Sequence, residues 1–396
     1  PDKNAPEYKA VVEASRATKL APLELLHRAG AIDSSYQFHW KRFLFDNFPK
    51  GTGFPAVQAP QPPADLPVAD VKAFSIDDSA TTEIDDALSV TGLGTGTVTV
   101  GIHIAAPGLA ITPGGELDKL GRARLSTVYM PGYKITMLPD DVVHIYTLDE
   151  GRSNPAVSLY VQINEETLET ISSETRLERV PVEVNFRYDK LDHIVTEQWL
   201  TDSSIEVENT PDSLLGKRKE LTFLQRWSKF LKANREVVRG KPENFNRPDY
   251  NFRLVGNDGA EPNGSEQVQI TVRKRGAPLD LIVAEAAIVA NSTWGLMLAE
   301  HGVPGIYRSQ ASLAPGVKVR MSTKALPHAG IGVKAYSWAT SPLRRYVDLV
   351  NQWQIIACAR HGKTAALAAP FKPKDAELFG IISSFDGAYS AYNGYQ

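Results

Sequence analysis

The sequence predicts an α+β fold, with a β-rich first half, helices in the second half and a small helical module at the N-terminus. Runs with alternating apolar residues are grouped between about residues 71 and 185. Longer runs with helical spacing follow at 211–238, 278–300 and 341–360. Because strands come first and helices later, the pattern favours α+β over a repeating βαβ arrangement.

The composition is that of an ordinary globular protein. Of 396 residues, 42% are hydrophobic and 22% are charged, which suffices for a large core. The formal net charge of −3 argues against a broad basic surface, so a nucleic acid would have to bind in a confined groove or channel. We find neither a membrane span nor a signal-peptide pattern in the sequence, and therefore expect a cytoplasmic protein.

Cysteine and histidine usage limits the metal chemistry. Cys358 is the single cysteine, so an internal disulfide and a cysteine-based zinc site are excluded. The eight histidines lack the spacing that places two ligands on one helical face. Any bound metal should therefore be a hard cation held by carboxylates.

Residues 1–54 are predicted to form the helical module. Helices are indicated near residues 7–19 and 23–28, and a third helix carries Tyr36, Trp40, Phe43 and Leu44 on one face. A helix-turn-helix unit and three helices packed on the main domain both fit this pattern. Five prolines between residues 55 and 70 predict a linker without regular structure.

The main domain is predicted at residues 71–365. Phe74 and Ile76 alternate with polar neighbours, and residues 98–104 keep a period of two, which indicates strands. Among the later helices, Ser341 is a suitable N-cap and Pro342 a suitable first residue for the helix at 341–360. Residues 366–396 are predicted to form a helical segment without a stop signal, as expected for a fragment of a longer protein.

An acidic loop is the first candidate functional segment. Five carboxylates fall within the ten residues 77–86, between two strand-like runs. Clustered like charges are unfavourable unless cations are present, and oxygen ligands select Mg²⁺, Mn²⁺ or Ca²⁺. Such a site suits phosphodiester hydrolysis assisted by one or two metal ions. The alternatives are a solvated acidic turn and a structural Ca²⁺ loop.

An arginine-bearing segment is the second. Arg344 and Arg345 follow the predicted helix start at Ser341, where free backbone N–H groups and the positive end of the helix dipole favour an anion. Two guanidinium groups at this place indicate a phosphate site. Alternatively, both arginines pair with acidic residues such as Asp348.

These two segments together resemble the RNase II family, also called the RNB family. Residues 76–87 match I-D-x-x-x-[ST]-x-D-[IF]-D-D-A except that Glu83 stands where the family usually has Asp, and residues 340–348 match T-S-P-[IL]-R-[RK]-Y-x-D. Residues 100–105, 127–132 and 137–139 resemble further family motifs. The resemblance covers about residues 70–365. It implies an RNB-type catalytic domain around an RNA channel, with an S1 domain expected beyond residue 396.

The resemblance also implies roles for individual residues. Asp77, Glu83, Asp85, Asp86 and Arg344 occupy catalytic positions. The metal ligands among them would be Asp77, Glu83 and Asp85, binding Mg²⁺ or, as a substitute, Mn²⁺. Arg344 would hold the phosphate beside the scissile bond.

Five further residues are expected to contact RNA. Tyr129 and Phe252 match aromatics that stack on terminal bases, and Tyr188 and Glu285 match positions that favour ribose. Arg345 would add to the phosphate site. For each of the three aromatics, simple packing in the core is the alternative.

We therefore expect a monomeric hydrolase that shortens single-stranded RNA from its 3′ end and releases nucleoside 5′-monophosphates, without a membrane partner. One alternative is a non-catalytic RNA-binding regulator of the same fold. Another is a DNA-binding helix-turn-helix regulator with a structural Ca²⁺ site.

Overall fold

The computed structural model describes residues 2–244, 248–256 and 259–396. Three helices come first: α1 (Pro6–Thr18), α2 (Pro22–Arg28) and α3 (Ser35–Asn47). Helix α3 packs on the main domain, because Trp40 and Phe43 are buried in one apolar cluster with Val128, Ile135 and Tyr392. Residues 48–72 form neither helix nor strand, as their prolines predict.

A closed five-stranded barrel forms the centre of the main domain. Its strands, in barrel order, are β1 (Ala73–Asp77), β2 (Asp86–Thr91), β3 (Thr97–Ala105), β6 (Arg152–Asn164) and β7 (Thr170–Arg187). Neighbouring pairs are antiparallel except for β1 and β7, whose parallel pairing closes the barrel. The predicted alternation in β3 is confirmed as a buried row of Val98, Val100, Ile102 and Ile104.

The insertion between β3 and β6 contains α4 (Glu116–Arg124), the hairpin β4 (Val128–Met130) and β5 (Tyr133–Ile135), and α5 (Asp140–Tyr146). After β7 come α6 (Tyr188–Leu191), α7 (Glu197–Thr201), α8 (Asp212–Gly216) and α9 (Arg218–Arg239). Strands β8 (Asp249–Val255) and β9 (Gln267–Arg273) form a separate hairpin. The predicted helix at 211–238 is therefore two helices, with the break at Lys217.

The C-terminal part supplies the long core helices. They are α10 (Pro278–Glu300), α11 (Tyr346–His361) and α13 (Ala376–Tyr395), with a two-stranded sheet of β10 (Tyr307–Ser309) and β11 (Arg320–Ser322) and the short α12 (Ala365–Ala368) between them. Strands grouped before helices confirm the α+β prediction. Helix α10 is long and apolar enough to cross a membrane by length and composition, but core helices pass the same test and 44% of its apolar window is buried here.

The predicted helix start at Ser341 is wrong. Residues 342–344 form a turn, and α11 begins at Tyr346. Arg345 is extended, with φ −134° and ψ 126°, and forms an isolated β-bridge with Ser126. Asp348 accepts a hydrogen bond at 2.9 Å from the backbone N–H of Ser341, which holds this turn against the helix that follows.

Candidate active site

The acidic loop connects β1 to β2 and is fixed at several points. Asp77 is the last residue of β1 and Asp86 the first of β2, so the barrel places both. The Arg187 guanidinium donates hydrogen bonds to the carbonyl oxygens of Asp78 at 2.7 Å and Thr81 at 2.9 Å. These contacts satisfy carbonyl groups that the turn leaves free, and they give the loop a defined course.

Asp85 joins this loop to the arginine-bearing turn. Its carboxylate accepts hydrogen bonds from the backbone N–H of Leu343 at 2.9 Å and from Nε of Arg344 at 3.2 Å. Arg344 also donates to the Ser341 hydroxyl at 2.9 Å. Asp85 is buried, whereas the Arg344 side chain is 42% exposed. Two segments far apart in the sequence thus meet in one site, with the guanidinium still accessible.

Glu83 contacts the β4–β5 hairpin. The Tyr129 hydroxyl donates to Oε2 of Glu83 at 2.7 Å, and Nζ of Lys134 lies 3.4 Å from Oε1. Lys134 also hydrogen-bonds the Thr82 hydroxyl. The side chain of Glu83 is only 2% exposed, so its charge is balanced locally by Lys134.

These groups border one cavity of about 910 Å³. All five predicted catalytic residues line it, together with Tyr129 and Lys134. Residues 52–54 from the segment after α3 and Gly259 from the β8–β9 connection also contribute to its wall. Six residues that the sequence predicts for the site therefore line the same cavity: Asp77, Glu83, Asp85, Asp86, Tyr129 and Arg344.

Burial raises the pKa of three aspartates in the cavity. The pKa of Asp77 rises to about 6 and that of Asp85 to about 7, in both cases mainly by desolvation. The pKa of Asp86 rises to about 8, because burial is reinforced by the negative charges of Asp77 and Asp85. In the opposite sense, burial alone would lower the pKa of Arg344, but Asp85 and other acidic neighbours raise it. The site thus favours a bound cation.

The donor chemistry fits a hard divalent cation. Oδ2 of Asp77 and Oε1 of Glu83 are buried and have no hydrogen-bond partner among the described residues, as expected for atoms that could bind a cation. Carboxylate oxygens are the ligands that Mg²⁺ and Mn²⁺ prefer. No three Asp, Glu, His or Cys side chains converge as a preformed metal cage within the described residues. Asp85 and Glu83 are instead engaged by the protein's own cationic groups.

Four of the five predicted RNA-binding residues do not line this cavity: Tyr188, Phe252, Glu285 and Arg345. Glu285 on α10 is buried and is held by Arg235, whose Nε donates to it at 3.1 Å. Burial raises the pKa of Glu285, an effect that Arg235 opposes. Tyr188 packs partly against the barrel core, with the Arg273 guanidinium 3.9 Å from its ring centre. Tyr188 is thus partly packed, and its role toward ribose stays a prediction.

Phe252 lies on the β8–β9 hairpin and is 53% exposed, so the core-packing alternative for it is wrong. Its cross-strand partner is Ile270, which is 58% exposed. Because opposite residues in an antiparallel pair point to the same face, one face of this hairpin is apolar and open. In the connection between β8 and β9, Glu261 accepts a hydrogen bond from Trp40 at 2.6 Å, which connects the hairpin to α3.

Arg345 lies beside the site but is partnered. It donates to Asp348 at 2.8 Å and its guanidinium lies 4.0 Å from the Trp338 ring centre. Asp348 itself is fully buried. Arg345 therefore matches the alternative in which the arginines pair with acids, while Arg344 pairs with Asp85 and still borders the cavity.

Lys134 and Arg187 are functional candidates that the sequence did not reveal. Lys134 lies between two motifs, in β5 of a hairpin whose strands are only three residues each. Its register opposite Tyr129 was the available signal, but hairpin register is set by turn geometry rather than by composition. Arg187 is the last residue of the long strand β7 and has no local pattern that distinguishes it.

The fold and site together define a barrel-based protein with an acidic, arginine-containing cavity. An RNB domain model matches residues 67–317 and 312–361, and the chain belongs to this family. The mixed α+β fold is the RNB catalytic domain fold. Among curated relatives, an uncharacterized ribonuclease of Synechocystis is 28% identical over 73% of this chain and 43% of its own length. Exoribonuclease 2 of Yersinia pestis is 28% identical over 73% of this chain and 50% of its own length.

Solved structures show the same fold. An active-site mutant of the Dss1 exoribonuclease from Candida glabrata has a TM-score of 0.69 at 20% identity, covering 87% of this chain and 50% of that one. RNase R of Mycoplasma genitalium in complex with ribose-methylated single-stranded RNA has a TM-score of 0.66 at 15% identity, covering 84% and 57%. Yeast Ssd1, a pseudonuclease, has a TM-score of 0.64 at 15% identity, covering 90% and 49%. The chain spans about half the length of the curated relatives it matches.

Proposed function

We propose that this protein is a metal-dependent hydrolase that removes nucleotides from the 3′ end of single-stranded RNA. The observation that carries the proposal is the meeting of Asp77, Asp85 and Asp86 with Arg344 in one cavity of an RNB-family chain. Relatives of this family include proteins named as exoribonucleases. Carboxylates and an accessible guanidinium supply both functions that phosphodiester hydrolysis requires, cation binding and phosphate binding.

Arg344 is suited to hold the phosphate beside the scissile bond. Its Nε and one terminal nitrogen bond to Asp85 and Ser341, which fix the plane of the guanidinium. The remaining N–H donors are available to a phosphate because the side chain is 42% exposed. A divalent ion held by Asp77 and Asp86 would activate water and stabilise the charge that develops on the phosphate.

Base stacking is the proposed role of the exposed aromatics. Tyr129 lines the cavity and Phe252 lies on the open apolar face of the β8–β9 hairpin. Aromatic rings stack on any base, so this mode of binding tolerates sequence.

A non-catalytic RNA-binding protein is the second candidate, because the pseudonuclease Ssd1 shares the fold. That candidate predicts a damaged acidic loop. In this chain each catalytic position of the acidic loop carries a carboxylate, with Glu83 as the single departure from the family pattern. Because Glu keeps the negative charge of Asp, the loop supports the enzyme.

The test is an incubation of the protein with 5′-labelled poly(A), with Mg²⁺ and with excess EDTA after metal removal. We expect a ladder that shortens from the 3′ end with Mg²⁺ or Mn²⁺ and an intact substrate in EDTA. Decay at the same rate in EDTA would refute the metal-dependent mechanism. Binding without cleavage in Mg²⁺ and in Mn²⁺ would favour the non-catalytic candidate.

A further inference from the structure

The β4–β5 hairpin presents two side chains to Glu83 as a unit. Tyr129 and Lys134 are directly opposite each other in this antiparallel pair, so their side chains share one face. Tyr129 donates to Oε2 of Glu83 at 2.7 Å, and Lys134 lies 3.4 Å from Oε1. Each oxygen of Glu83 thus faces a different residue of one hairpin.

This arrangement competes with a metal ion for Glu83. Oε1 lies within ion-pair distance of the Lys134 ammonium, and a cation at that oxygen would meet a positive charge in a poorly hydrated site. Glu83 is only 2% exposed, so water screens the pair weakly, whereas Lys134 is 30% exposed and lines the cavity. A metal could use Glu83 only after Lys134 had moved away.

The length of the Glu83 side chain is what permits the ion pair. An aspartate is shorter by one methylene, roughly 1.5 Å of reach. At that length the carboxylate could not contact the Lys134 ammonium and the Tyr129 hydroxyl from the same backbone position. The ion pair with Lys134 therefore accounts for Glu rather than Asp at position 83.

The balance of charge points the same way. The cavity is lined by five carboxylates and three cations, namely Asp77, Glu83, Asp85, Asp86 and Asp140, and Arg124, Lys134 and Arg344. Two negative charges remain when these are paired, which one divalent ion neutralises. Arg187 and Asp78 also act on Asp77, with opposite signs.

We propose that Lys134 is a positioning residue that serves as the built-in counter-ion of Glu83, withdraws it from the cation ligands and limits the cavity to one divalent ion. This rests on the proposed function in so far as the cavity is taken to bind a divalent ion. Asp77 and Asp86 are then the carboxylates left to bind that ion. Asp77 has a buried oxygen without a hydrogen-bond partner in the described part of the chain, whereas Oε1 of Glu83, which also lacks a hydrogen bond, has the Lys134 ammonium at 3.4 Å.

The test measures Mn²⁺ binding to the full chain by calorimetry without RNA. The variants are Lys134→Met, Glu83→Gln, the double variant, and Lys134→Arg as the charge-conserving control. We expect one Mn²⁺ in the unmodified protein and binding tighter by on the order of tenfold in Lys134→Met, because a positive charge near the ion is removed. Glu83→Gln alone should weaken binding, since it leaves Lys134 unpaired. The double variant should return to within about threefold of the unmodified protein, and Lys134→Arg should bind like the unmodified protein.

Opposite results are distinguishable. If Glu83 is a metal ligand, the double variant will bind Mn²⁺ as weakly as Glu83→Gln, and the proposal is overturned. Two ions in the unmodified protein, or unchanged affinity in Lys134→Met, would overturn it as well. Lys134→Gln repeats the test if the Met variant unfolds. The Mn²⁺ titration contains no RNA, so its outcome does not depend on cleavage. A failure of RNA cleavage would refute the proposed function but would not decide the role of Lys134.

Discussion

Asp86 is the residue whose substitution best distinguishes a catalytic role from a structural one. Asp86→Asn removes a charge and hardly alters the volume. We expect cleavage to fall by roughly three orders of magnitude or more, because interactions with the transition state are lost, while RNA affinity is retained through Arg344 and the aromatics. Single-turnover cleavage and equilibrium RNA binding, measured on one preparation, check this.

Asp140→Asn is the matched control for Asp86→Asn. Asp140 is exposed, lines the same cavity and begins α5 outside the carboxylate cluster. The same change of charge there should leave cleavage within about threefold of the unmodified protein. Equal losses in the two variants would show that the general charge of the cavity, rather than the position of Asp86, determines the rate.

His103 makes a pH-dependent contribution to stability. Its ring is fully buried on β3, with hydrogen bonds to the hydroxyls of Ser89 at 2.8 Å and Ser158 at 2.7 Å. Burial lowers its pKa to about 3. The unfolded chain therefore binds the proton more readily, so this contribution is complete above the unfolded pKa of about 6.5 and is lost as the pH falls toward 3. Between pH 7.5 and 5 the free energy of unfolding should drop by about 2 kcal/mol through His103 alone.

Urea unfolding of the unmodified protein and of His103→Gln, each at pH 7.5 and pH 5, isolates this contribution. At pH 7.5 the free energy of unfolding of His103→Gln should be lower than that of the unmodified protein. Between pH 7.5 and pH 5 it should fall less, because the contribution of His103 is missing. His193→Gln serves as the control, since His193 is exposed. If His103→Gln keeps the full pH dependence of the unmodified protein, the ring is not the group that titrates.

At the level of elements, the β8–β9 hairpin has an apolar face that no described residue covers. Tyr250, Phe252, Val268, Ile270 and Val272 share this face and are each more than half exposed. Phe252→Ala should weaken RNA binding by about 1–3 kcal/mol and change the length of the final product. Val255→Ala is the control, because Val255 is 51% exposed on the opposite face of β8. Equal effects of the two substitutions would argue against stacking on Phe252.

Local patterns predicted most helices and strands but not their ends. The helix at 278–300 was found with the predicted bounds because proline and a long apolar run define it. The helix at 341–360 starts five residues late, since Asp348 binds the backbone of Ser341 and Arg345 pairs with Ser126. The bridge between Arg345 and Ser126 is a tertiary contact, and no sequence window that covers the helix contains both of its residues.

For the whole molecule, the carboxylates and Arg344 could be predicted because they belong to two short motifs. The closure of the barrel by parallel pairing of β1 with β7 could not, since it joins strands about a hundred residues apart. Lys134 was missed for a related reason: its role depends on cross-strand register with Tyr129. Glu285 is the opposite case. A motif predicted this residue, but only the structure revealed that Arg235 is its buried partner.

The substrate preference of the whole molecule gives the last prediction. Burial raises the pKa of Tyr188 to about 12, so its hydroxyl keeps its proton at neutral pH and can donate a hydrogen bond. If it senses the ribose 2′-hydroxyl, a 5′-labelled RNA should be shortened from its 3′ end while a DNA of the same sequence is spared. Tyr188→Phe should reduce the ratio of the two rates by about tenfold, as expected for one lost hydrogen bond. Tyr250→Phe, which removes an exposed hydroxyl, should leave the ratio unchanged. Equal rates on RNA and DNA in the unmodified protein would show that the cavity does not recognise the sugar. A preference that survives Tyr188→Phe would assign recognition to another group.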